Sequence, residues 1–95
     1  MIILGENMRR TVVKVIVGDT FIINRKIDGT NKVRLANSDA PELYQYGGRQ
    51  AANTLKHLIG GRQVTITPIG RSYDRIVANV RVRRKNVNRV IDRLF

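Results

Sequence analysis

The segment TVVKVIVGDTFIIN, residues 11–24, consists mostly of valine, isoleucine and threonine and is interrupted at Gly18. Because β-branched side chains pack well on a pleated sheet, the segment predicts two β-strands that meet near this glycine. The Asp28-Gly29 pair that follows is typical of a two-residue hairpin turn, and KVRLA, residues 32–36, supplies a third strand. The chain is therefore expected to begin with an antiparallel meander of three strands.

The remaining segments predict a helix, two strands and a second helix. RQAANTLKHLIGG, residues 49–61, has apolar residues at helical spacing and ends in two glycines. QVTITPI, residues 63–69, and IVANVRV, residues 76–82, alternate apolar and polar residues, which is typical of strands. Pro68 is expected at an edge or a strand end. NVNRVIDRLF, residues 86–95, predicts a short helix whose apolar side holds Val87, Val90, Ile91 and Leu94.

This order of elements matches the OB-fold, a small Greek-key barrel that often binds oligonucleotides. The expected class is mainly β (α+β), a five-stranded OB-fold barrel with one helix between strands 3 and 4 and a short C-terminal helix. An SH3-like barrel would usually lack a helix of that length at this position. The 95 residues support one domain, spanning 1–95.

The charge and the absence of cysteine restrict the classes of function. Eighteen basic residues against seven acidic ones give a formal net charge of +11, which indicates an anionic partner such as DNA or RNA. A membrane surface is less favoured, because the basic residues are scattered and not arrayed along one amphipathic helix. With no cysteine and a single histidine, His57, the chain excludes thiolate zinc sites and makes a serine-histidine triad unlikely. His57 lies off the apolar side of its helix and is expected to be exposed.

No targeting or membrane segment is expected in the chain as given. Its start, MIILGENMRR, has only a brief apolar run, whereas a secretory signal needs a longer one. No segment approaches the roughly 20 apolar residues of a transmembrane helix. The sequence is typical of a soluble protein, and both a cytoplasmic location and secretion after removal of a signal stay open.

Three acidic residues lie next to the ends of predicted strands, which is unexpected in a chain this basic. The stretch VRLANSDAPE puts Asp39 and Glu42 just after the third strand, whereas Asp19 lies at the break between the first two. Because strands two and three are antiparallel, Asp19 and Asp39 are expected to approach each other. Two close carboxylates need a neutralising cation such as calcium, Glu42 can orient a water as general base, and Arg34 and Arg75 can hold a phosphate. Together these groups suit phosphodiester hydrolysis.

The same residues also have purely structural interpretations. Asp39 is typical of an Asx-type turn before Ala40-Pro41. Glu42 can be a solvated loop residue, and Arg34 can be an ion-pair partner on its strand. Spacing alone leaves both interpretations open.

Several segments, taken in order, resemble the staphylococcal nuclease (thermonuclease) family. They are VVKVIVGDTFII, VRLANSDAPE, GGRQAANTLKHLIGGRQVTI, YDRIVANVRV and NVNRVI, and together they extend from about residue 12 to residue 91. The resemblance implies an OB-fold, calcium-dependent nuclease that hydrolyses DNA and RNA with little sequence specificity.

The resemblance also implies a role for each residue that matches a motif. Asp19 and Asp39 would be carboxylate ligands of Ca2+, and the backbone carbonyl of Ala40 would be a further ligand. Glu42 would activate or position the attacking water. Arg34 would contact the scissile phosphate, Arg75 would stabilise the pentacoordinate transition state, and Tyr73 would contact a terminal nucleotide phosphate.

Three features depart from the family. Val17 stands where the family usually has the first aspartate of D-G-D-T, so weaker calcium binding is expected. Asp74 replaces the glycine before Arg75 and is expected to pair with that arginine. The chain given stops at Phe95, where the family's archetype continues into further helical structure. Self-association through the apolar Leu94-Phe95 end is therefore a hypothesis.

Two other functions stay open. The first is a non-catalytic nucleic-acid-binding OB-fold module that holds phosphates through a basic end comprising Arg81, Arg83, Arg84, Lys85, Arg89 and Arg93. An aromatic content of 5% offers few stacking platforms for bases, which mildly disfavours a dedicated binder. The second is a protein-interaction domain of a larger assembly, which only the apolar terminus supports. Both DNA and RNA stay open as the nucleic acid.

Overall fold

The strands of the protein close into a β-barrel that is flanked by two helices. A computed structural model describes residues 3–95. In chain order the elements are β1 (Met8–Val17), β2 (Thr20–Ile27), β3 (Thr30–Leu35), α1 (Gly48–Ile59), β4 (Gln63–Ser72), β5 (Arg75–Val82), the two-residue β6 (Lys85–Asn86) and α2 (Val87–Leu94).

The sheet order explains how the barrel closes. The strands follow one another as β3-β2-β1-β4-β5-β6, and a further pairing joins β3 to β5. The first three strands form the predicted antiparallel meander, whereas β3 and β5 run parallel. The mainly β, OB-fold-like barrel, with a helix between strands 3 and 4 and a C-terminal helix, is thereby confirmed. The two-residue β6 is an addition that the sequence did not indicate.

The fourth strand is longer than the sequence predicted. It does not end near Pro68 but continues to Ser72. The last residue of β4 with a partner on β1 is Ile66, which pairs with Met8. Pro68 lies beyond that point, so its missing N–H removes no bond to β1. The pairing with β5 shifts register between Pro68 and Gly70, which is a common setting for proline in a sheet.

The core is formed by the inward residues of the strands and one side of each helix. The largest fully buried side chains are Phe21, Ile23, Leu35, Leu55, Ile59, Ile66, Ile76 and Ile91, with several valines between them. Helix α1 places Ala51, Leu55 and Ile59 on the barrel, as its periodicity predicted. His57 is exposed, as expected. Within residues 3–95, no helix combines the length and the apolar composition needed to cross a membrane.

The buried side of α2 differs from the prediction in two respects. Leu94 is exposed, whereas the polar Asn88 is buried. The Asn88 amide donates to the carbonyls of Ala36 and Ala78 and accepts from the Val80 N–H, at 2.8–3.0 Å. Asn88 therefore joins α2 to β5 and to the end of β3.

Self-association through the Leu94-Phe95 end stays a prediction, and both residues are exposed. Leu94 lines an apolar surface cavity of about 410 Å³ together with Leu58 and Val90. Light scattering from a dilute solution tests the hypothesis, because a purely monomeric mass would count against it.

Candidate active site

Barrel closure gathers three cations on the outer face of two neighbouring strands. In the parallel pairing of β3 with β5, Lys32 lies opposite Arg75, and Arg34 lies opposite Val77. Side chains alternate along a strand, and the intervening Val33 points into the core. Lys32, Arg34 and Arg75 therefore share the outer face, on strands about 4.8 Å apart.

Arg34 connects the start of β2 to the loop that follows β3. Its Nη2 atom lies 3.6 Å from the carboxylate of Asp19 and donates to the carbonyl of Ser38 at 3.0 Å. Asp19 is only 6% exposed, and its other carboxylate oxygen accepts from the Thr20 hydroxyl at 2.9 Å. Its backbone carbonyl accepts from the Leu35 N–H at 2.8 Å. The Asp19 carboxylate is thus held in a fixed position at the barrel end.

The turn before Asp19 packs directly against the loop that contains Asp39. A Cβ atom added to Gly18 would lie 2.9 Å from the Ala40 Cβ and 2.5 Å from the Ala51 Cβ. Only glycine permits this approach between the turn, the loop and helix α1. The contact brings the neighbourhood of Asp19 next to that of Asp39, whose side chain is exposed.

The donor atoms in this region are all hard oxygens. They comprise the carboxylates of Asp19 and Asp39 and the backbone carbonyl of Ala40. The Ser38 hydroxyl is also buried there and has no hydrogen-bond partner among residues 3–95. Over the same residues, no group of three or more histidine, cysteine or acidic side chains is arranged to hold a metal ion. Oxygen atoms of this kind are the ligands that calcium prefers, so a cation bound here would take its remaining ligands from water or phosphate.

A cavity of about 350 Å³ has in its wall Thr20, which hydrogen-bonds Asp19 and lies opposite Arg34. The residues Asp19, Arg34, Asp39 and Ala40 do not themselves line it. It is lined by Ile16, Val17, Thr20, Lys32, Glu42, Tyr73, Asp74 and Arg75. Three predicted site residues therefore meet around one space, because the fold brings Glu42 to the cavity wall that holds Tyr73 and Arg75, which are distant from it in the chain. The Arg75 side chain makes no hydrogen bond or ion pair with any residue from 3 to 95, so its guanidinium can bind an anion.

The backbone of Glu42 is fixed where helix α1 begins. Its N–H donates to the Gln45 side-chain carbonyl and its carbonyl accepts from the Gln45 N–H, both at 2.9 Å. A Cβ atom at Gly48 would overlap the Glu42 carbonyl oxygen, so glycine is required at the first residue of α1. These contacts hold the Glu42 backbone at the cavity, while its carboxylate stays exposed.

Asp74 pairs with a different cation from the one predicted. Its carboxylate lies 3.0 Å from the Lys32 ammonium, whereas a pair with Arg75 was expected. The parallel strand pairing causes this change, because it places Lys32 beside the turn that precedes β5. The hydrogen bond and the charge of Lys32 lower the pKa of Asp74, and the charge of Arg75 contributes in the same direction.

Val17 and Tyr73 complete the wall of this cavity. Val17 presents an apolar surface where the resembling family has a carboxylate, so this position adds no metal ligand. Tyr73 is 91% exposed and has a φ of 57°, which is uncommon for a bulky residue. Its ring therefore projects from the tight turn between β4 and β5.

The predicted nucleic-acid-binding residues Arg83, Arg84 and Lys85 lie at the opposite end of β5. They line a second cavity, of about 520 Å³, together with His57, Leu58, Arg62 and Val82. Seven residue steps along β5 place this cavity about 23 Å from Arg75, at about 3.3 Å per residue. Arg81 lies on the outer face between the two ends. The second cavity is lined by no acidic residue, so it is a basic cleft separate from the candidate active site.

Sequence reasoning missed Lys32 and two tyrosines. Lys32 is two residues before Arg34 on the same strand, so the period of two could have identified it. Tyr44 and Tyr46 are 86% and 101% exposed on the loop after Glu42. The low aromatic content of the chain suggested few stacking platforms, but all three tyrosines of the chain lie on the surface.

The chain is similar to bacterial proteins that are named endonucleases. It is 37% identical over 81 residues to an uncharacterized endonuclease of Escherichia coli, an alignment that covers 82% of this chain and 51% of that protein. It is also 37% identical over 78 residues to an uncharacterized endonuclease of Haemophilus influenzae, with 81% of this chain and 44% of that protein covered. The chain thus spans about half the length of these relatives. No protein-family model matches it.

Proposed function

We propose that the chain is a metal-dependent endonuclease domain that hydrolyses phosphodiester bonds of DNA or RNA. The main support is the convergence of Glu42 and Arg75 on one cavity, whose wall also holds Thr20, the residue that hydrogen-bonds Asp19 and lies opposite Arg34. A carboxylate that can accept a proton and two guanidiniums that can bind a phosphate suit this reaction. The names of the relatives and the resemblance to staphylococcal nuclease support the same reaction class.

Each residue then has a distinct task. Glu42 accepts the proton of a water whose oxygen bonds to phosphorus, while the scissile P–O bond breaks and the leaving oxygen takes a proton from solvent water. Arg75 and Arg34 bind the nonbridging oxygens, on which negative charge grows in the transition state. Arg34 uses only Nη2 for Asp19 and Ser38, so its other two nitrogens are available to the phosphate.

Calcium is proposed as the cofactor, held by the carboxylates of Asp19 and Asp39 and by the Ala40 carbonyl. When bound, the ion supplies Lewis-acid neutralisation of the phosphate charge. Because the chain offers few protein ligands and Val17 adds none, we expect weak calcium binding that strengthens when a phosphate is present.

We expect low sequence specificity, because the chain would contact the phosphates of its substrate and not the bases. Arginine and lysine contacts to phosphates position a nucleic acid without reading its bases. The basic cleft at Arg83, Arg84 and Lys85 is proposed to hold the strand at some distance from the scissile bond. A net charge of +11 would draw either DNA or RNA to the surface.

A non-catalytic nucleic-acid-binding module is the alternative. It is favoured by the absence of a third metal-binding side chain among the described residues and by the separate basic cleft. Both functions predict binding that weakens with salt, so binding alone does not distinguish them.

The experiment that separates the two functions is a cleavage assay on single-stranded DNA and RNA. The purified chain is incubated with calcium, with other divalent cations, and with excess chelator. Cleavage that requires calcium is the result expected of the nuclease. Binding at low salt without cleavage under any of the metals would reject the nuclease and support the binding module.

A further inference from the structure

All three tyrosines of the chain lie on the surface, next to the candidate active site. Tyr73 projects over the cavity that contains Glu42, and Tyr44 and Tyr46 project from the loop that follows Glu42. Exposure of 86–101% is unusual for side chains with so much apolar area. The only other aromatic residues are Phe21, which is fully buried, and Phe95 at the end of the chain.

A separate cavity begins at the residue after Glu42. It measures about 380 Å³ and is lined by Leu43, Gln45, Tyr46, Gly47, Arg49 and Gln50. Glu42 lines the cavity proposed for the scissile phosphate and Leu43 lines this one, so the two cavities are one residue apart along the chain. Its wall offers an aromatic ring, a cation and two side-chain amides, and it contains no acidic residue.

The loop around this cavity has a defined backbone. The Gln45 N–H donates to the Glu42 carbonyl and the Gly48 N–H donates to the Gln45 carbonyl, both at 2.9 Å. Gly47, with a φ of 81°, then leads into helix α1. The backbone on either side of Tyr46 is thereby held by hydrogen bonds and by the helix, so the exposed side chain projects from a fixed backbone position.

We propose that this cavity is a nucleotide subsite in which Tyr46 stacks on an unpaired base and Arg49 binds the adjoining phosphate. The proposal rests on the proposed nuclease function, because the subsite serves the nucleotide next to the scissile bond. Aromatic rings stack on any base, so the subsite adds affinity without sequence preference. Bases within a duplex are already stacked and paired. The subsite therefore selects single-stranded nucleic acid.

The test measures binding without cleavage. Fluorescence anisotropy is used with the Glu42→Gln chain, a single-stranded oligonucleotide of about 16 nucleotides, an abasic strand with the same number of phosphates, and a duplex. Tyr46→Leu is compared with Tyr46→Phe, which keeps an aromatic ring. Tyr46 is fully exposed, so neither substitution removes a core contact, and a thermal melt checks that both variants are folded.

The expected result is a loss confined to strands that carry bases. Tyr46→Leu should weaken binding of the single strand roughly five- to hundred-fold, the range found when a stacked aromatic residue is removed. Binding of the abasic strand should stay within about two-fold of the parent chain, and Tyr46→Phe should bind like the parent. Equal losses for the normal and abasic strands, or no loss for either, would overturn the subsite. No loss for either would also leave an exposed apolar loop suited to a protein partner.

Failure of the subsite can be told apart from failure of the nuclease. If the chain with Glu42 intact does not cleave but Tyr46→Leu still loses base-dependent binding, the subsite stands and the nuclease function falls. If the chain cleaves but Tyr46→Leu binds and cleaves single strands as the parent does, the nuclease stands and the subsite is wrong.

Discussion

The guanidinium of Arg34 lies 3.6 Å from the carboxylate of Asp19 and also binds the Ser38 carbonyl. One side chain therefore joins the turn between β1 and β2 to the loop after β3. Only Nη2 is used in these contacts. The remaining nitrogens of the planar guanidinium have no partner among the described residues, so Arg34 can hold the site together and bind a phosphate at the same time.

The first prediction concerns the planar shape of the Arg34 guanidinium. Arg34→Lys keeps the positive charge but loses the fork of N–H donors that matches a phosphate. We expect kcat/KM for cleavage to fall by about 10²-fold, the size of the effect when one transition-state donor is removed. Steady-state kinetics on single-stranded DNA measures it. Arg25→Lys, on the exposed part of β2, is the control and should cleave at the original rate. An Arg34→Lys chain as active as the parent would exclude the phosphate role.

A second prediction concerns the buried amide of Asn88. Asn88→Ala leaves the Val80 N–H and the carbonyls of Ala36 and Ala78 without this partner. The free energy of unfolding should fall by about 2–4 kcal/mol, since each buried polar group that loses its partner is costly. Urea unfolding measures the change. Asn86→Ala removes only the α2 cap to the Arg89 N–H and should cost about 1 kcal/mol. If the two variants lose the same free energy of unfolding, the hydrogen bonds of Asn88 do not stabilise the fold more than a helix cap does.

The basic cleft leads to a third prediction. The double variant Arg83→Gly, Arg84→Gln removes two cations, and glycine suits the φ of 56° at position 83. On a single strand, the slope of log K against log salt should become shallower by about 1.4, at about 0.7 for each phosphate that is no longer neutralised. The variant Arg25→Gln, Lys26→Gln removes the same charge elsewhere and should change the slope little. If both variants change the slope equally, overall charge and not the cleft determines binding.

A fourth prediction follows from the lowered pKa of Asp74. In the folded chain Lys32 holds this pKa below the ordinary value of 3.8, so the ion pair contributes stability above that pH. The contribution is lost as the pH falls through the lowered pKa. An NMR titration of the Asp74 carboxyl should show the shift, and Lys32→Met should raise the pKa towards its ordinary value. A pKa for Asp74 that is the same with and without Lys32 would contradict the ion pair.

Patterns among residues that are close in the sequence were enough to predict most of the fold. The abundance of β-branched residues on both sides of Gly18, the Asp28-Gly29 turn and the helical spacing of residues 49–61 each depend on near neighbours in the chain. The structure places the Asp19 turn against the Asp39 loop, which the antiparallel meander suggested. The roles of these two residues as calcium ligands stay a prediction.

The features that were missed depend on contacts between distant segments. The partnership of Lys32 with Asp74 exists because β3 and β5 pair in parallel when the barrel closes, and a sequence pattern does not show that register. Asn88 is polar and its position in the sequence is typical of an exposed helix residue, but the carbonyls it binds belong to β5 and to the end of β3. Continuation of β4 past Pro68 depends on where β1 begins, because Met8 is the last partner that β4 has on that strand, and the residues of β4 do not reveal this.

The most direct test of Glu42 as the general base compares the parent chain with the Glu42→Gln variant. Cleavage of single-stranded DNA and its binding are both measured in calcium at alkaline pH, for the parent chain and for Glu42→Gln. Because glutamine keeps the shape of the side chain but cannot accept a proton, turnover should fall by about 10²–10⁴-fold while Kd changes little. If Glu42→Gln cleaves as fast as the parent chain, Glu42 is not the general base and the proposed mechanism is wrong.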